Sequence, residues 1–466
     1  MQEEINDILA TFIEVKKCVS ETLFLDFHKS PSQYDGVNST LIVTDECNLR
    51  CTYCYCNKEP NRMSWDIAKD FIDGHFERTK NDHLIKKEDQ VTARHRIIWE
   101  FIGGEPLLEA SLVFQCMEYI VNRVDKLHDN HPWKRTDWPC DCGKPDGRGF
   151  RFMLGTNGLL LNDPFVQKNL LKYKNHIHIG VTLDGDQEMH DLCRKDTEGK
   201  GSFDRVMRAW VWLREEFPYA VTSTKSTIAH ENLPHIFRII KFFHNLEPDK
   251  FYLMQNCVFE NVWWKGDQFV LFNQLCDVAD FLIEGEKYKK FMARWFDLNI
   301  FSKSESPNNW CGASQSMNAC DHTGSIYPCL RFKHIDKPYI LGSLKCGIDQ
   351  DLRDKMNLGN PIHSCNQIKI AGVDCPNCPV SSLCSECQAG AYNVFGRMDV
   401  KSPFICPMHK AVVFANIYFF GKLMKFTEIS DSLFRDYLIR LLDDYTKTNY
   451  FGYDEKGRQV EWKHMT

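Results

Sequence analysis

Three cysteines in one short loop set the chemistry that this sequence can do. Cys47, Cys51 and Cys54 stand in CX3CX2C spacing within Asp45-Glu46-Cys47-Asn48-Leu49-Arg50-Cys51-Thr52-Tyr53-Cys54. Three thiolates so placed can ligate three corners of a 4Fe–4S cube. With no fourth ligand the remaining iron stays open to a small chelating molecule. A zinc knuckle is the alternative. Zinc wants four protein ligands, and Cys56 would be the fourth.

A second set of cysteines follows far downstream. Cys311-Gly312-Ala313 opens it, Gly324-Ser325-Ile326-Tyr327-Pro328-Cys329 comes next, and Cys375, Cys378, Cys384 and Cys387 form a CX2CX5CX2C run before Cys406. The chain holds 21 cysteines in 466 residues. A disulfide framework suits short secreted chains. In a long chain, clustered cysteines point to metal or redox work. Cys140 and Cys142 form a further pair in a polar stretch, and Cys56, Cys346 and Cys365 stand outside these patterns.

The first loop, with Tyr53 before its third cysteine, resembles the radical S-adenosylmethionine (SAM) superfamily, and three further stretches fit the resemblance. Gly103-Gly104-Glu105-Pro106 looks like that family's GGEP motif, Thr156-Asn157-Gly158 falls where the family contacts SAM, and Thr182-Leu183-Asp184-Gly185 with His190 and Arg194 is similar to an SLDG–HD–R stretch. The resemblance implies that Cys47, Cys51 and Cys54 hold a 4Fe–4S cluster whose open iron takes SAM. It also implies that Tyr53, Gly103, Gly104, Glu105, Thr156, Asn157, Thr182 and Arg194 line the SAM site. Arg194 would offer the SAM carboxylate a two-pronged donor; pairing with a local Asp is its other reading. The downstream set resembles the SPASM extension of peptide-modifying radical SAM enzymes, although the family's run usually ends CX3C. That likeness implies two auxiliary 4Fe–4S clusters. The nearer would be held by Cys311, Cys329 and Cys387, with Cys320 or a substrate thiolate as the fourth ligand, and the farther by Cys375, Cys378, Cys384 and Cys406. For Cys320 a buried structural role is equally open, and a pair of zinc ribbons is the alternative for the whole segment.

Elements must place these loops. Segments rich in β-branched and aromatic residues predict strands at Ser39–Thr44, Arg96–Gly103, Arg151–Gly155, Ile177–Leu183, Ala220–Thr227 and Lys250–Gln255. Amphipathic stretches at Trp65–Arg78, Ser111–Leu127, Phe203–Glu216 and Leu233–Leu246 predict helices between them. This alternation predicts an α/β fold, an open partial (β/α)6 TIM-type barrel over 39–261, with active residues at the C-terminal strand ends. Residues 1–38 read as an N-terminal segment whose Thr22–Phe27 could pair with a peptide edge. Residues 128–150 read as an inserted loop, 262–310 as a helical bridge, 311–410 as a loop-rich domain organised by metal, and 411–466 as helical.

Composition narrows the partners. The chain is 43% apolar and 26% charged with a net charge of −6, so nothing invites nucleic acid or anionic lipid. The acidic start is no secretory signal, and no apolar run reaches the roughly 18 residues of a membrane helix. A cytoplasmic enzyme is expected. By resemblance its substrate is a Cys-containing precursor peptide and its electron donor a ferredoxin or flavodoxin. The expected reaction joins a Cys sulfur to a carbon of another residue, as in sactipeptide and ranthipeptide pathways. Oxidation of Cys or Ser to formylglycine is the main alternative, with epimerisation or carbon–carbon crosslinking behind it. Formylglycine chemistry calls for an acidic base, for which Asp267, Asp277, Asp280 and Asp297 are candidates.

Overall fold

The computed structural model describes residues 38–81, 98–129, 151–174, 176–217, 222–247, 251–260, 262–296, 312–314, 317–358, 378, 387–396, 398, 405–425 and 430–446. Thr22–Phe27, Cys140, Cys142, Asp297, Cys311, Cys365, Cys375 and Cys384 lie outside these residues.

Six strands follow one another across a parallel sheet: β1 (Asn38–Thr44), β2 (Ile98–Gly103), β3 (Arg151–Thr156), β4 (Ile177–Thr182), β5 (Thr222–Ile228) and β6 (Phe251–Cys257). The helices that cross back between them are α1 (Trp65–Asn81), α2 (Ala110–Asp129), α3 (Pro164–Lys172), α4 (Gln187–Cys193), α5 (Phe203–Glu216) and α6 (Ile236–Leu246). Side-chain caps open α3 and α4. Asp163, for instance, accepts hydrogen bonds from Phe165 N and Val166 N just before Pro164 opens α3.

Side chains alternate across the sheet with period two. Leu41 and Val43 of β1, Trp99 and Phe101 of β2, Phe152 and Leu154 of β3, and Ile177, Ile179 and Val181 of β4 enter the main apolar core. The intervening residues face the concave side, where Thr40 donates to Glu100 at 2.7 Å and His178 meets Ser223 at 2.9 Å.

The sheet does not close on itself, because both outer edges carry further strands. Residues 262–296 form α7 (Asp267–Ile283) and then β7 (Phe291–Ala293), which pairs parallel to β6. The bridge is therefore strand as well as helix; three residues are too few for a period-two pattern to announce them. On the other edge β8 (Met317–Cys320) pairs parallel to β1, and β9 (Ser325–Tyr327), β10 (Gly342–Ser343) and β11 (Gly347–Ile348) continue antiparallel. The downstream cysteine segment is thus joined by hydrogen bonds to the first strand of the barrel.

After α8 (Leu330–Lys333), α9 (Gln350–Leu358) and α10 (Gln388–Phe395), helix α11 (Cys406–Leu423) is buried on nearly every face, including Val412, Val413, Phe414, Ala415, Tyr418, Phe419 and Phe420. It lies between α7 and α12 (Asp431–Thr446), so its all-round apolarity serves a protein interior. No helix among the described residues is long and apolar enough to cross a membrane.

Candidate active site at the strand ends

The cysteine loop leaves β1 at a bulge between Ile42 and Thr44 and runs directly over the end of β2. Gly104 N donates to Thr44 O at 2.9 Å, and Glu105 N donates to Glu46 O at 2.8 Å. These contacts explain the paired glycines. A Cβ at Gly103 would stand 2.0 Å from Thr44 O, and one at Gly104 would stand 2.2 Å from Glu46 O. The far side of the loop is tied to the end of α4, through Arg50 N to Lys195 O at 2.7 Å and Thr52 N to Cys193 O at 3.0 Å.

Cys47 is buried, Cys51 half-buried and Cys54 exposed. Burial pushes the Cys47 and Cys51 thiols above their ordinary pKa, and the Arg194 guanidinium pulls Cys51 part of the way back. Cys54 goes the other way, to about 5, because the Cys56 thiol and then the Lys58 ammonium hydrogen-bond it; Lys58 Nζ stands 2.9 Å from Cys54 Sγ. Asn157 Nδ2 reaches Cys47 Sγ at 3.7 Å and Asn48 Oδ1 at 2.7 Å. Among the described residues no three His, Cys, Asp or Glu side chains close on a single-ion site. Ligands on separate irons of a cube stand farther apart than ligands of one ion, so the three-thiol donor set suits a cluster.

Glu105 is fully buried. Its carboxylate accepts from Leu107 N at 3.1 Å, Thr156 Oγ1 at 2.8 Å and Asn157 N at 2.8 Å. It thereby fixes the turn after β3 against the end of β2. Thr182, the last residue of β4, is half-buried on the concave face, level with Lys225 of β5.

Arg194 pairs with an Asp, but in the interior rather than on the surface. Its Nη1 donates to Tyr53 Oη at 2.7 Å and stands 3.9 Å from Asp184 Oδ2, while Tyr53 Oη also donates to Asp184 Oδ2. Thr227 N donates to Asp184 Oδ1 at 2.8 Å. Burial raises the Asp184 pKa, against the pull of Arg194. Arg194 Nε is buried with no hydrogen-bond partner among the described residues. An orphaned guanidinium N–H beside the cysteine loop is a donor left for a bound ligand, and it fits SAM.

The downstream segment meets this rim through two basic residues that the sequence did not single out. Arg331 lies over the Tyr55 ring, 4.0 Å from its centroid, and pairs with Glu260. Lys333 pairs with Asp45, two residues before Cys47. Both belong to the short helix Leu330–Lys333 directly after Cys329, and that adjacency was the available signal. Cys329 and Cys387 each precede a helix and pack against the same small apolar cluster, with Phe332, Ala389 and Tyr392. Cys320 is fully buried in the main core, in register with Leu41 of β1. Cys378 packs on that main core, and Cys406 is the first residue of α11.

The candidate bases separate. Asp277 pairs with Arg435, and Asp280 with Lys422 and Tyr418, so both fasten α7 to α11 and α12. Asp267 pairs with His230 at 2.9 Å and accepts from Trp264 N at 2.7 Å, in the loops that follow β5 and β6.

The chain resembles known proteins over the same region. It is 26% identical over 211 residues to an uncharacterised protein of Methanocaldococcus jannaschii, covering 45% of this chain and 59% of that one, under two thirds of the relative's length. It is 25% identical over 338 residues to a cysteine-type anaerobic sulfatase-maturating enzyme of Clostridium perfringens, covering 66% and 76%. A solved structure of native anSMEcpe with bound AdoMet and Kp18Cys peptide shares the fold, with a TM-score of 0.57 and 18% identity over 88% of this chain and 99% of that one. Residues 41–243, from the middle of β1 to α6, match the Radical SAM superfamily.

Proposed function

We propose that this protein is a radical SAM enzyme that modifies a Cys-containing peptide, joining the Cys sulfur to a carbon of another residue. One observation carries the reading. The three-thiol loop and the Cys329–Cys387 region flank one rim, with Arg331 on the Tyr55 ring between them. Cys47, Cys51 and Cys54 would hold a 4Fe–4S cluster that, with SAM, would supply the radical chemistry for taking hydrogen from carbon.

The protein's own residues hold and orient. Gly103 and Gly104 let the loop lie against β2, Glu105 fixes Thr156 and Asn157, and Asn157 reaches Cys47. Tyr53 and Asp184 hold Arg194 with its Nε free for the SAM carboxylate. Thr182 and the glycine backbone complete that side. On the far side, Cys329 and Cys387, with Cys311, would hold the nearer auxiliary cluster. Cys375, Cys378, Cys384 and Cys406 would hold the farther one. Cys320 or a substrate thiolate would be the nearer cluster's fourth ligand. The substrate is a precursor peptide and the reductant a ferredoxin or flavodoxin.

Formylglycine formation is the second reading, favoured by the C. perfringens relative. Against it, among the described residues Lys225 of the concave face has no ion-pair partner, while Asp184, Glu100 and Glu260 are each hydrogen-bonded or paired. The mass of a Cys peptide after anaerobic incubation with SAM and reductant separates the two. Loss of two hydrogens with a Cys that no longer alkylates is expected. Loss of sulfur with gain of an aldehyde would overturn the thioether assignment in favour of formylglycine.

A further inference from the structure

Lys225 stands on the concave face of β5. Its neighbour Thr224 accepts a hydrogen bond from Trp210 Nε1 of α5 at 3.2 Å, so Thr224 faces the helices and Lys225 faces the opposite way. Ser223, two residues earlier, shares the face of Lys225 and meets His178 inside the barrel. Lys225 is in register with Thr182 of β4 and Met254 of β6, which places it beside the SAM-lining residues and above the floor of the barrel.

The charges around it do not balance. Arg331 has Glu260, and Arg194 has Asp184 and Tyr53. Lys225 has no hydrogen-bond or ion-pair partner for its ammonium among the described residues. Arg294, just after β7, is met by the neutral amide of Asn256 at 2.9 Å. Asn256 is level with Thr227, which shares the face of Lys225, and Arg294 and Lys225 lie within each other's field. Glu100 of β2 also lies in the field of Lys225 and accepts a hydrogen bond from Thr40 Oγ1 at 2.7 Å. Burial, then Arg331, lowers the Lys225 pKa, with Asp184 opposing. Lys225, exposed to the concave cavity, and Arg294, half-buried, form no ion pair among the described residues, and a carboxylate entering the barrel would meet both.

We propose that Lys225 and Arg294 form a carboxylate-binding subsite that holds an acidic group of the peptide substrate inside the barrel. The inference rests on the peptide-modifying reading above. The carboxylate belongs to an Asp or Glu near the modified residue, or to the peptide's C-terminus.

The test uses the full-length protein with SAM bound. Its probes are a synthetic Cys peptide made with Asp or Asn beside the Cys, each as C-terminal acid and amide. A charge-assisted contact is worth roughly tenfold or more in affinity. The Asp form, or the free-acid form, is expected to bind at least about tenfold tighter than its neutral counterpart, and the pair that differs names the source. Lys225→Gln should erase that preference and Lys225→Arg should retain it. Lys172→Gln, on the exposed face of α3, should also retain it. Equal binding of all four peptides to a wild-type enzyme that forms 5′-deoxyadenosine would overturn the subsite and leave the enzyme reading intact. A wild type that forms no 5′-deoxyadenosine would overturn both. Loss of SAM affinity in Lys225→Gln, with the peptide preference kept, would assign the ammonium to SAM and overturn the proposal.

Discussion

Lys333 and Asp45, 288 residues apart, form an ion pair in which the lysine side chain is 9% exposed and the aspartate 4%. Asp321, 3% exposed, stands 4.0 Å from the same ammonium, and Asn61 Nδ2 holds the other oxygen of Asp45 at 3.0 Å. One cation thus joins the cysteine loop to the β8–β9 turn. Removing it leaves two buried carboxylates without their cation, which costs about 3–5 kcal/mol. Lys333→Met should lower the denaturant midpoint accordingly, and Asp45→Asn in the same chain should recover part of the loss. An unchanged midpoint in Lys333→Met would mean that the pair does not join the two regions.

Gly104→Ala should disturb the cysteine loop. The added Cβ meets the Glu46 and Asp45 carbonyl oxygens at 2.2 and 2.6 Å, and backbone cannot yield as a side chain can. Either the loop moves or the chain bears about 1–3 kcal/mol of strain. Iron content after anaerobic purification should fall. Gly155→Ala is the control, since a Cβ there meets nothing within 4 Å.

Glu100 gives a pH dependence. Burial raises its pKa in the folded chain, with the Thr40 hydrogen bond opposing. The folded state then holds its proton longer than the unfolded state does, so stability falls as pH rises from the ordinary glutamate value of about 4.3 through the raised one. Glu100→Gln should therefore be more stable than wild type at neutral pH, and the gain should vanish below about pH 4. A gain that persists in acid would refute this origin.

Much of this arrangement was legible in the sequence, for physical reasons. Richness in β-branched and aromatic residues placed β1 to β6 within a few residues of where they lie. GGEP and TNG fell at strand ends, and the structure shows why: Gly103 and Gly104 permit backbone contact, and Glu105 binds the Thr156–Asn157 turn. Short strands such as β7 carry too few residues for periodicity. The pairing of β8 with β1, and of Lys333 with Asp45, joins residues hundreds of positions apart, which no local pattern records. Asp184 was visible in the TLDG stretch, but its role as the acceptor between Tyr53 and Arg194 needs the fold.

Asp277 and Asp280 should be dispensable for the chemistry. Their partners Arg435, Lys422 and Tyr418 belong to α11 and α12. Asp277→Asn and Asp280→Asn should cost no more than about 1 kcal/mol of stability each, as partly exposed pairs do. Peptide modification should stay within about twofold, well under the tenfold that 1.4 kcal/mol represents. Loss of modification with the fold retained would make either one a base.

The most direct measurement is 5′-deoxyadenosine formation by the anaerobically purified protein with SAM and reductant, beside a variant in which Cys47, Cys51 and Cys54 are all Ala. Wild type should form 5′-deoxyadenosine and methionine, and the variant should form neither while keeping its fold by circular dichroism. Equal 5′-deoxyadenosine from both, or none from iron-loaded wild type, would contradict a radical SAM centre on these three thiols.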